Sequence, residues 1–168
     1  ARVKLFLAMD RTVVKGDALI QLEIATRMGI ECFDHTEPRG LEKARIAVAF
    51  ADLVIDALAG TGLHGELSTI YRDSIELMNG SGKRILAVDI PSGVDADTGA
   101  VREKAVQAIA TVTFGLPKPG LLLQPGAACS GELVVAPIGI PQELLTAATI
   151  RQTLITAEYV TSRLPRRE

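Results

Sequence analysis

The chain has 168 residues, 48% of them apolar and 23% charged. That suits one packed domain and is too apolar for a disordered chain. Eighteen basic against twenty acidic side chains leave a net charge of −2, which argues against the basic face that nucleic acid needs. No apolar run approaches the roughly 18 residues of a membrane span.

Residue 1 is Ala1, and strand-like sequence follows at once, so a piece of something longer is expected. Residues 2–8 (RVKLFLA) are apolar and β-rich and predict a short strand. Gly16 and Asp17 open a helix whose broad apolar stripe is Leu19, Leu22, Ile24, Ala25 and Met28, with Gly29 as its C-terminal glycine. A second strand is expected over 30–33, a loop with Pro38 over 35–40, and a weak helical pattern over 41–50. Residues 53–57 form the next strand, 60–65 a glycine loop, and 68–78 a helix stopped by Gly80. Residues 84–90 (RILAVDI) read as a buried parallel strand. A loop follows over 91–98 and a strand over 108–114. Residues 115–126 carry three prolines and three glycines and predict ordered turns before a last strand at 132–136. After Pro141 the pattern turns helical and ends in a charged tail. Alternating strands and helices imply an α/β fold, a Rossmann-like, doubly wound, mostly parallel sheet with helices on both faces.

Ligands of such sheets bind beyond the carboxyl ends of the strands. Two strands end in acid there: Leu53-Val54-Ile55 runs into Asp56, and Leu86-Ala87-Val88 into Asp89. Each acid either caps its loop or pairs with a base, or the two face one crevice if the strands are neighbours. The loop Gly60-Thr61-Gly62-Leu63-His64-Gly65 fits G-x-G-x-x-G between strand and helix. Such glycines let backbone approach a pyrophosphate; the other reading is a glycine-rich surface turn with His64 exposed. In the loop Asp89-Ile90-Pro91-Ser92-Gly93, Ser92 sets a hydroxyl three residues after Asp89. Carboxylate, hydroxyl and carbonyl are hard ligands, suited to Mg²⁺, Ca²⁺ or an alkali ion. Asp95 and Asp97 read as turn chemistry. Lys118, in the stiff segment Leu116-Pro117-Lys118-Pro119, either meets a phosphate or is solvated. Cys32 and Cys129 form neither a metal spacing nor a disulfide framework, as expected of a reducing, cytoplasmic compartment.

Taken in order, the segments 56–65 (DALAGTGLHG), 87–95 (AVDIPSGVD), 111–115 (TVTFG) and 137–141 (PIGIP) resemble the NAD(P)H-hydrate epimerases, the YjeF-type N-terminal domain, over about residues 1–145. The resemblance implies interconversion of the R and S forms of hydrated NADH or NADPH, which is substrate and not cofactor. It implies potassium held by Asp56 and Ser92. It implies substrate contact by Gly60, Thr61, Gly62, Leu63, His64, Gly65 and Glu66 and by Asp89, with Asp89 as the catalytic carboxylate. A carboxylate raised in pKa by partial burial would shuttle the proton better. The family's earlier strand and its Asn-Asn-Gly-Gly-Asp-Gly-like loop have no counterpart here. A central gap is therefore expected, with unpaired edges on residues 1–8 and 53–57, and with the 168-residue chain unstable or inactive alone. Residues 146–168 resemble a linker toward an ADP- or ATP-dependent NAD(P)H-hydrate dehydratase in bifunctional enzymes. A homodimer also accords with the family. Two rival readings are a Rossmann-type NAD(P)-binding oxidoreductase and a non-catalytic YjeF-type interaction domain.

Overall fold

The computed structural model describes residues 2–37, 39–61, 68–101, 103–145, 147, 150 and 152–164. Residues 1–136 form one compact unit and 137–168 a second. In the first unit every described strand pair within a sheet is parallel, as the expected α/β class requires. The strands nevertheless fall into two sheets. One holds β1 (Lys4–Leu7) beside β2 (Glu31–Asp34). The other runs β3 (Leu53–Asp56), β4 (Arg84–Val88), β5 (Ala110–Phe114), β6 (Glu132–Ala136) in that order. Among these strands, β1 pairs only with β2 and β3 only with β4, which leaves free edges at the two segments where the sequence predicts them.

Helix α1 (Gly16–Arg27) leads from β1 to β2, α2 (Gly40–Ala49) from β2 to β3, and α3 (Thr69–Gly80) from β3 to β4. Gly29 follows α1 at φ 77°, where a left-handed residue ends a helix without a Cβ penalty. The α1 stripe behaves differently from its pattern. Only Leu22 is buried, while Ile24 and Met28 stand open, because the two-stranded sheet beneath offers little surface to cover them. Helix α3 starts where the Ser68 hydroxyl accepts the Tyr71 N–H, an N-cap that satisfies one orphan donor. Its Ile75 and Met78 pack with Ile85 of β4 and with Val106, and Val54 of β3 and Leu58 close the cluster. Burying each large aliphatic side chain of this kind contributes about 1.5–3 kcal/mol.

The later crossovers depart from strand–helix alternation. Among the described residues, β4 reaches β5 without a helix. Its connection is pinned by the antiparallel bridge Val94–Val101 and by Asn79 of α3, which donates to the Ala105 carbonyl at 2.9 Å and accepts the Gln107 N–H at 2.9 Å. Between β5 and β6 the proline- and glycine-rich stretch winds into a 3₁₀ turn at Pro119–Leu121 and the short α4 (Gly126–Ser130). The sequence predicts only turns there. A second cluster gathers under these loops: Ile90, Val94, Ala105, Leu121 and Cys129, with Leu133 of β6 against it. Cys129 is thus a small core residue. In the second unit, α5 (Gln142–Leu145) and α6 (Ala157–Arg163) are short, and the Thr156 hydroxyl caps α6 by accepting the Tyr159 N–H. Among the described residues no helix is long and apolar enough to cross a membrane.

Candidate active site

Strands β3 and β4 are neighbours with Asp56 level with Ala87. Asp56 and Asp89 therefore leave adjacent strands at the same end of the sheet. The last ladder bond runs from the Asp89 N–H to the Val112 carbonyl at 2.8 Å. The chain then turns at Asp89 with φ 69°. A non-glycine residue in the left-handed region costs on the order of 1 kcal/mol or more, and such strain gathers at functional sites.

The loop after this turn belongs to the core. Ile90, Pro91 and Ser92 are fully buried. Gly93 adopts φ 96°, and a Cβ there would stand 2.1 Å from the Lys104 carbonyl oxygen. The Ser92 carbonyl accepts the Val106 N–H at 2.9 Å. The loop is held from both sides, so it presents its polar groups on a rigid frame.

Asp56 is 1% exposed. Its carboxylate accepts the Ser92 N–H at 2.8 Å and the Ser92 hydroxyl at 2.6 Å, with the Leu58 N–H at 3.2 Å. Burial pushes its pKa up, and these three donors only partly offset that. The Ser92 oxygen accepts the Ala59 N–H at 2.9 Å and lies 3.3 Å from the Ala59 carbonyl oxygen. One carboxylate, one hydroxyl and one nearby carbonyl make a hard-oxygen set of low total charge. Among the described residues there is no cluster of three or more His, Cys, Asp or Glu side chains suited to a metal. The set fits an alkali cation better than a divalent or soft one. A cation would also relieve the buried charge on Asp56.

Asp89 has the opposite electrostatics. Burial raises its carboxyl, but the Lys118 ammonium, the Phe114 N–H and the Thr113 hydroxyl outweigh burial and hold it below the ordinary carboxylate value. Of the two acids, the one that burial raises is Asp56, which has no described cationic partner, whereas Asp89 has Lys118. Lys118 is paired, its ammonium lying 2.5 Å from Asp89. Both side chains are about one-fifth exposed. The sequence signal was only a lysine clamped between two prolines.

The start of the glycine loop reaches both aspartates' surroundings. Ala59 bonds Ser92, and a Cβ on Gly60 would stand 3.9 Å from Oδ2 of Asp89. Thr61 follows among the described residues, while Gly62, Leu63, His64, Gly65 and Glu66 lie outside them. Asp95 behaves as a turn residue, its carboxylate accepting the N–H groups of Asp97 and Thr98. A cavity of about 480 Å³ lies elsewhere, between α2 and α3, lined by Arg45, Asp73 and Glu76 among others; it contains none of the residues above.

A parallel α/β sheet with two acids at neighbouring strand ends defines an α/β protein with a crevice beyond the carboxyl ends of its strands, where ligands of such sheets bind. The sequence matches the family described as YjeF-related protein N-terminus over residues 1–120, and the chain belongs to that family. It is 43% identical over 168 residues to the bifunctional NAD(P)H-hydrate repair enzyme Nnr of Moorella thermoacetica, covering 100% of this chain and 32% of that protein. It is 37% identical over 145 residues to the NAD(P)H-hydrate epimerase of Rhodopirellula baltica, covering 86% of this chain and 58% of the other. The fold is similar to the crystal structure of yeast ynu0, with a TM-score of 0.56 at 14% identity, over 71% of this chain and 60% of that one. The chain thus spans about a third of the length of the bifunctional relative.

Proposed function

We propose that this chain is the epimerase part of an NAD(P)H-hydrate repair enzyme, interconverting the R and S forms of hydrated NADH and NADPH at C6 of the nicotinamide ring. The observation that carries this reading is the placement of Asp89, an ionised carboxylate on a strained turn, with Oδ2 toward the first glycine of the loop. The names of the relatives supply the substrate class. They do not favour the oxidoreductase or the interaction-domain reading.

Inverting C6 needs its C–O bond broken and remade. As the hydroxyl leaves, the ring nitrogen's electron pair delocalises the positive charge. The hydroxyl departs as hydroxide, water adds to the opposite face and gives up a proton, and that proton passes by way of the carboxylate to the hydroxide, so that one water is consumed, one is released and the carboxylate is regenerated. A resting carboxylate beside the ring stabilises the cation and can take that proton. Held below the ordinary carboxylate value, Asp89 suits this role better than that of a resting acid. Asp56 and Ser92, with the Ala59 carbonyl close by, would hold a potassium ion, whose charge balances Asp56 and favours nearby phosphate. The glycine loop, residues 60–66, would receive the pyrophosphate through its backbone. Further proposals concern the whole protein: a fused or separate NAD(P)H-hydrate dehydratase as partner, a homodimer, and a cytoplasmic, reducing location in keeping with two free thiols.

The test uses the full-length protein, a mixture of R and S hydrates, and an excess of S-specific dehydratase. Loss of the R form should accelerate with the protein present. Asp89→Ala should slow that loss by about 10²- to 10⁴-fold with the fold intact. No acceleration by the wild-type protein would sink the reading.

A further inference from the structure

The two oxygens of Asp89 are treated differently by their surroundings. Oδ1 receives the Lys118 ammonium at 2.5 Å, the Thr113 hydroxyl at 3.1 Å and the Phe114 N–H at 3.3 Å. Oδ2 has none of these and faces the backbone at Gly60. Lys118 is itself fixed, its ammonium donating to the Thr113 hydroxyl at 2.9 Å and to the Phe114 carbonyl at 2.9 Å. All three lysine protons are thereby directed at oxygen. The lysine backbone lies between Pro117 and Pro119, at the entry to the 3₁₀ turn whose Leu121 is buried in the second core cluster. Thr113 is fully buried on β5. The clamp therefore rests on strand and core.

We infer that Lys118 is a positioning residue for Asp89: with Thr113 and the Phe114 N–H it immobilises Oδ1, so that Oδ2 alone is presented to the substrate. This role rests on the epimerase reading. Lys118 touches no reacting atom in it. It orients the carboxylate, balances its charge on a left-handed backbone, and keeps it ionised while the ring is cationic. Among the described residues, the charged group against Asp89 is Lys118. The β5 side contributes Thr113 and the Phe114 N–H, and the β3 side contributes the backbone at Gly60.

The experiment compares wild type, Lys118→Met and Lys118→Arg in the full-length protein with the coupled assay above, each variant checked by its thermal melt. Lys118→Met should lower kcat by roughly 10- to 100-fold with KM within about twofold, as removal of an orienting group does and removal of a substrate ligand does not. Its acid limb should move up by about one pH unit, because the carboxylate loses its stabilising cation. Lys118→Arg should recover kcat to within about tenfold of wild type, since the charge is kept and the fork geometry differs. An increase in KM at unchanged kcat would overturn the inference and make Lys118 a substrate ligand. Unchanged kcat and acid limb in Lys118→Met would overturn it while leaving the epimerase reading intact. An inactive wild type would overturn that reading and the role of Lys118 with it. If Lys118→Met fails to fold, Thr113→Val must show the kcat loss at steady KM while Lys118→Arg stays within about tenfold of wild type.

Discussion

Three aspartates, Asp34, Asp56 and Asp89, stand at or just past strand ends, and the charge of each is managed by different means. Asp56 is buried on hydrogen bonds from Ser92 and Leu58, Asp89 is paired with Lys118, and Asp34 is held by a turn. Asp34 ends β2 almost fully buried and accepts the N–H and hydroxyl of Thr36 at 2.8 and 2.7 Å and the N–H of Arg11. Burial raises its carboxyl, but these donors and the Arg11 charge outweigh burial and leave it below the ordinary value of about 3.8. A depressed folded-state pKa adds stability that is complete above the unfolded value and is lost as pH falls through the folded one. Asp34→Asn should therefore cost about 1–3 kcal/mol at neutral pH. The gap to wild type in denaturant melts should be constant above about pH 5 and shrink below about pH 4. At this scale the strand-end acids themselves were legible, because an acid after three apolar residues breaks the strand pattern. Their partners were not legible in local pattern: Ser92, 36 positions from Asp56, is grouped with it in the sequence only by the family resemblance, and Lys118, 29 from Asp89, is not paired with it there at all.

The elements that position the site are a strand end and a loop that behaves as core. The sequence pattern marks 91–98 as loop, and loops are ordinarily exposed. Here Ile90, Pro91, Ser92 and Val94 are buried, with Leu121 and Cys129 in contact with the cluster. Periodicity misses this because the segment has neither a helical nor a strand period. Its apolar residues find partners only through the later 3₁₀ turn and α4. Gly93 is the sharpest constraint in it. With φ 96° and the Lys104 carbonyl oxygen 2.1 Å from any Cβ, Gly93→Ala should destabilise the protein by at least about 1–3 kcal/mol, since strain and clash act together. It should also displace Ser92 and Asp89 and lower turnover. A thermal melt read beside the coupled assay checks both; a variant with unchanged melting and turnover would contradict the rigid-loop account. The α1 stripe is the reverse case, with a clear helical period but few residues buried, because period selects the element and not the surface it meets.

At the scale of the molecule, the division of the sheet has a physical consequence. A parallel strand is ordinarily covered on both faces. On β3, however, Leu53 and Ile55 are 42% and 58% exposed, and the strand pairs on one side among the described strands. A free edge with apolar side chains is a template for association. In the isolated 168-residue chain, Ile55→Lys should lower self-association several-fold in light scattering, while a polar change on the covered face, Val54→Lys, should unfold the α3 packing instead. Equal scattering by wild type and Ile55→Lys would show that the edge is not the contact.

The sequence by itself determined the succession of strands and helices, the parallel α/β class, the acids at strand ends and the motifs shared with the YjeF-related family. Each of these is written in local period or in short spacing. Only the tertiary structure decided that the Asp89 loop is core, that Lys118 is the partner of Asp89, and that Asp56 and Asp89 take opposite electrostatic settings. Those outcomes depend on groups 29 and 36 positions apart meeting in a low-dielectric interior, where the choice of partner sets both charge and geometry.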